Sequence, residues 1–158
     1  MKSLRRFLVI QALALWQGGF LFYAAFVVPV GTSVLGSSAD QGAITRRVTD
    51  YLNACGIAAL LVCLWDLTRG HRGGALSRWR WLLWLGMALI LGGLVALHVL
   101  MESLLDDPTA GSAGRMHFRT LHRIYLWSST AQWLFALAYV YLTLCAWRQE
   151  DNPGRLPQ

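Results

Sequence analysis

Two residues with the chemistry of a ligand pair, His98 and Glu102, stand four positions apart at the end of a long apolar run, 81–101. Four residues is about one helical turn, so both side chains project from one face. An imidazole and a carboxylate so placed suit a divalent metal such as zinc, copper(II) or iron. The fourth apolar run carries a third donor, His122, and Asp50 offers a fourth at the start of the second. A metal site from His98, Glu102, His122 and Asp50 is one expectation. A haem b held between His98 and His122 is another, because bundle cores commonly hold cofactors. Against both stands a purely structural reading, in which His98 and Glu102 satisfy each other as an i,i+4 pair. A proton or substrate path is the remaining reading, since ionisable groups at membrane depth often mark one.

Other signals are weaker. The Glu-x-x-His repeats of di-iron bundles and the His-Glu-x-x-His zinc motif are absent from the sequence. So are a Ser-His-Asp order, a phosphate-cradling glycine loop and a nucleotide fingerprint, and no catalytic residue is assigned. Asp50 lies within a turn of Arg46 and Arg47 and reads as a structural pair with them, sharing a face with Asn53. His122, Tyr125, Ser129, Gln132 and Ala136 alternate by three and four, which predicts a polar stripe facing a neighbouring helix. His117 falls about 140° from His122 on a regular helix, so His122 is the better companion for His98. Cys55, Cys63 and Cys145 lie in apolar runs, odd in number and without a Cys-x-x-Cys pair, which supports neither a disulfide framework nor a thiolate zinc site. With Ala59, the first two form a small-residue packing stripe. Ala88, Gly92 and Ala96 predict a second such stripe.

The elements that must position these residues are apolar and long. Of 158 residues 56% are hydrophobic and 14% charged, with mean hydropathy +0.44. Soluble domains carry roughly 25% charged residues, so the composition is that of a membrane protein. The net charge of +6 does not imply nucleic acid, because the basic residues flank apolar runs and no recognition motif accompanies them. The pattern predicts helices over about 6–30, 43–67, 79–104 and 117–147, loops at 31–42, 68–78 and 105–114, and a polar tail at 149–158. The first run follows Lys2, Arg5 and Arg6 but exceeds a signal-peptide core, and reads as a retained span. Nine of the fourteen basic residues fall on the side of the termini, which predicts both ends cytoplasmic. Trp79, Trp81 and Trp147 would form an aromatic belt there.

Two stretches resemble the transmembrane protein 205-like group of small four-helix membrane proteins and its bacterial relatives. They are Gly18-Gly19-Phe20 through Phe26-Val27-Val28-Pro29, and Phe118-Arg119-Thr120-Leu121-His122-Arg123, similar to that family's Phe-x-x-Leu-His element. The resemblance implies a four-helix integral membrane protein, singles out Pro29 and His122, and supplies no reaction. A weaker likeness of layout links the chain to copper-resistance membrane domains with histidine-bearing helices. The expectation is therefore an all-α integral membrane four-helix bundle in a plasma or bacterial inner membrane. Its domain spans 1–148, and its partners are the lipid bilayer and a further copy or another membrane protein. Its function is metal or small-ligand binding at a polar site near the outer face. A haem- or metal-dependent oxidoreductase and a ligand-free structural or assembly protein are the alternatives.

Overall fold

The computed structural model describes residues 2–70, 74–105 and 111–152. The expected loop at Asp106, Asp107 and Pro108 and most of the polar tail lie outside the described residues. Among these residues the chain is all-helical: α1 (Lys2–Phe22), a π-helical segment (Tyr23–Val27), α2 (Val28–Leu35), α3 (Ser38–Arg69), α4 (Ala75–Leu105) and α5 (Gly111–Asp151). Four helices are long and apolar enough to cross a membrane: Lys2–Leu35, Asp40–Arg69, Ala75–Leu104 and Met116–Asp151. Large apolar side chains such as Leu15, Phe22, Leu89 and Trp127 are exposed, while Asn53, Asp66, Arg80 and Gln132 are buried. That distribution fits a multi-pass membrane protein, whose polar groups must be satisfied away from lipid.

The first helix runs further than the sequence predicts. Pro29 lacks an N–H and crowds the carbonyl four residues before it, which ordinarily ends or kinks a helix. Here the chain widens by one residue instead: Val28 N–H bonds to the carbonyl of Tyr23, five residues back, and the helix continues to Leu35. The predicted loop at 31–42 shrinks to a turn at Gly36 and Ser37. Gly36 takes a left-handed conformation (φ 61°), and Ser37 caps α3 by accepting the backbone N–H of Asp40. Serine and glycine thus act as capping signals here rather than loop signals.

The chain divides into two compact units, residues 1–72 and 73–158. In the first, α1 and α3 pack antiparallel, as contacts from Arg5 to Asp66, from Trp16 to Gly56 and from Tyr23 to Thr45 require. Gly56 is where the backbones approach closely, since a Cβ there would lie 2.7 Å from the Trp16 indole. Trp16 is buried and rigid, so Gly56→Ala is expected to cost about 1–3 kcal/mol by overpacking. Thermal unfolding in mild detergent checks this, with Gly18→Ala as a control because a Cβ at Gly18 meets nothing within 4 Å. Ala59 and Cys63 are buried in the same unit, in keeping with the packing stripe.

In the second unit α4 and α5 pair antiparallel, with Gly86 against Phe135 and Arg80 against Thr143. Buried residues on α4 follow a four–three spacing, Met87, Leu91, Leu94, His98 and Met101. Those on α5 step by three or four, at Ser129, Gln132, Ala136, Tyr139, Thr143 and Trp147. This is the seam of a coiled-coil pair. Trp147 belongs to it and is buried, unlike exposed Trp79 and Trp81, so it is not part of an aromatic belt. The small stripe predicted on α4 has no close neighbour at Gly92, which is exposed and where an added Cβ would meet nothing within 4 Å.

Candidate functional site

The polar residues of α4 fall at two sites, one at each end of its apolar stretch. Near the C-terminal end, His98 lies in the seam and is buried, while Glu102, one turn on, is partly exposed. His98 Nε2 stands 3.5 Å from Glu102 Oε1. The side chains therefore meet as the spacing predicts, with the imidazole inside and the carboxylate toward the rim. The register set by Gly86 with Phe135 and Arg80 with Thr143 brings His98 level with residues 123–125 of α5. The pair can present one imidazole nitrogen and up to two carboxylate oxygens to a ligand, or hold a proton between them.

The other sequence-predicted donors belong to α3 and α5. His122 is exposed on α5, and its ring stacks on Phe118 of the same helix at 6.0 Å between centroids. His117 is exposed as well. Asp50 belongs to the first unit, where it is exposed on α3, while Asn53 three residues on is buried. The structure thus brings His98 and Glu102 together, separates Asp50 from Asn53 by burial, and gives His122 an aromatic neighbour on its own helix.

At the opposite end of α4, Arg80 is buried and its Nε donates to Thr143 Oγ1 at 3.1 Å. Its guanidinium also lies over the ring of fully buried Tyr139, 5.7 Å from the centroid. A planar cation suits this place because it can hydrogen-bond at its edge and stack on its face. Thr143→Val keeps the volume but removes the acceptor, and is expected to cost about 1.5–3 kcal/mol as a lost charge-assisted bond. Unfolding of Thr143→Val beside Thr143→Ser, which restores the hydroxyl, measures it.

The first unit has a corresponding pair of polar anchors. Arg5 Nε lies 2.9 Å from Asp66 Oδ1, both side chains being buried. Eighteen residues along the first helix, the Tyr23 hydroxyl donates to Thr45 Oγ1 at 2.8 Å, beside the π-helical turn. Thr45 in turn donates to the carbonyl of Gln41. Arg80 and His98 are also eighteen residues apart. At 1.5 Å per residue that is about 27 Å, close to the hydrocarbon thickness of a bilayer. In each unit two polar contacts thus stand about one bilayer thickness apart along the helices.

Sequence reasoning took Arg5 and Arg80 only as topology charges and passed over Asp66. A signal was available, because an acid inside the run 51–67 is costly unless a cation meets it, and Arg5 lies at the matching end of an antiparallel helix. No protein-family model, curated protein or solved structure matches the chain.

Proposed function

We propose that this is a four-helix integral membrane protein, with both termini cytoplasmic, that binds a divalent metal or a small ligand through His98 and Glu102 near the outer face. The orientation follows from the excess of basic residues toward the termini. The observation that supports ligand binding is the buried His98 imidazole beside a partly exposed carboxylate, within a helix otherwise built for lipid. Such a pair sits where ionisable groups are costly to retain. The carboxylate at the rim gives a hard ligand an entry, and the imidazole behind it adds a borderline donor, a combination that suits zinc, copper(II) or iron.

Haem-dependent chemistry is the second reading, and it draws on His98 with His122 as axial ligands. The exposure of His122 and its stacking on Phe118 give that reading less support than the His98–Glu102 contact gives the first.

Protein purified in mild detergent, with its absorbance spectrum and elemental metal content recorded, tests both. The metal reading expects near-stoichiometric metal and no Soret band, with the metal lost in Glu102→Ala. A Soret band lost in His98→Ala and His122→Ala would replace it with the haem reading. Metal-free protein that takes up no added metal, with variants that lose only stability, would leave the pair a structural one.

A further inference from the structure

Gln132 lies near the middle of the α5 seam, 3% exposed, and neither its Oε1 nor its Nε2 has a hydrogen-bond partner among the described residues. A carboxamide has two donor hydrogens and an acceptor oxygen, and leaving them unmet in an apolar interior costs about 1–3 kcal/mol or more. The antiparallel register sets it level with residues 89–91 of α4, where the buried seam residue is Leu91, which offers no side-chain polar atom.

The two directions along the seam from Gln132 differ. Toward the Arg80 end stand Ala136, Met87 and Tyr139, the last two with no exposed surface, and Phe135 packs onto Gly86. Toward the His98 end α5 presents polar groups at successive turns, opposite Leu94 and His98 of α4. Ser129 is 4% exposed, donates its hydroxyl to the carbonyl of Tyr125 and also meets the Tyr125 side chain. Tyr125 is half-buried, His98 lies at its level and Glu102 opens at the rim. Next to Gln132 the seam is closed by apolar Ala136 and Met87 on one side, while on the other it carries polar groups on α5 and reaches the partly exposed Tyr125 and Glu102.

We propose that the α4–α5 unit contains a blind, hydrated inlet, entered from the His98–Glu102 end and ending at Gln132, whose carboxamide is satisfied by water. From Tyr125 to Gln132 the inlet is about 10 Å long at 1.5 Å per residue. Water is the occupant because the required guest must donate to one atom and accept from another, and buried waters meet such groups with two to four bonds. The inlet stands independently of metal binding, since none of its inner residues is a ligand of the proposed site.

Side-chain hydrogen exchange tests it. The full-length protein, uniformly labelled with ¹⁵N and ¹³C and embedded in phosphatidylcholine bilayers, is moved into D₂O and followed by solid-state NMR. Gln132→Leu identifies the signal of Gln132 by its absence. The expected result is that the Gln132 carboxamide exchanges well before the backbone amides of Met87 and Ala136. Ser129→Leu should slow that exchange at least tenfold, while Ala136→Leu, on the sealed side, should leave it within twofold. Should Ser129→Leu not fold, Ser129→Val carries the same expectation at smaller size. Exchange as slow as that of the neighbouring backbone would overturn hydration. Fast exchange blocked by Ala136→Leu but not by the Ser129 variants would overturn entry from the His98 end. A small organic molecule recovered stoichiometrically from the purified protein, whose extraction speeds exchange, would overturn water as the occupant.

Discussion

Asp66→Ala is expected to destabilise the protein by about 3–5 kcal/mol, the largest loss from any single substitution considered, because it leaves the Arg5 guanidinium buried without its counter-charge. The carboxylate is 1% exposed and the guanidinium side chain 9%, so screening by water is small. The Coulomb attraction is correspondingly strong, but so is the cost of having removed both charges from water. For that reason the double variant Arg5→Met with Asp66→Leu should recover most of the loss, since replacing a buried pair with apolar groups of similar size is often neutral. Unfolding in mixed micelles of the wild type, both single variants and the double variant measures the coupling. Equal destabilisation by Asp66→Ala and by the double variant would show that the ion pair contributes little beyond packing. Asp66 also lies in the last turn of α3, its carbonyl accepting the N–H of Gly70, and that backbone bond survives the substitution. The loss therefore reports on the carboxylate.

The second large effect concerns ligand binding. Removing the buried imidazole in His98→Ala is expected to weaken divalent-metal binding beyond the roughly 10–100-fold that loss of an outer-shell partner typically costs. Glu102→Gln retains size and hydrogen bonding but removes the charge, and should weaken binding less than His98→Ala while following it in direction. Titration of each variant with zinc, monitored calorimetrically, gives the order. His117→Ala supplies the control, because His117 is exposed on α5 and has no part in the proposed set.

Much of this arrangement was legible in the residues. The apolar runs foretold four helices, and the i,i+4 spacing of His98 and Glu102 foretold their contact. Of the alternation at His122, Tyr125, Ser129, Gln132 and Ala136, His122 is exposed and the rest marks part of the α5 seam, which burial extends to Tyr139, Thr143 and Trp147. Helix ends were less legible because glycine, serine and proline each have two meanings. Pro29 reads as a stop but is absorbed by a π-helical turn, and Gly36 and Ser37 read as loop but form a tight capped turn. Long-range partners were least legible. Arg5 with Asp66 and Arg80 with Thr143 join residues 61 and 63 positions apart, and only the register of an antiparallel pair brings them level. Arg5 and Arg80, read from sequence as topology charges, are buried anchors in the structure.

Whether His98 and Glu102 form a ligand site or a pair that only satisfies itself is tested most directly with cobalt(II). Its visible absorption responds to its ligands, and it is titrated into the purified full-length protein. One equivalent bound by the wild type and by His117→Ala, with binding lost in His98→Ala and reduced in Glu102→Gln, is the predicted result. No saturable binding by the wild type, or binding that is the same in all four proteins, would contradict it.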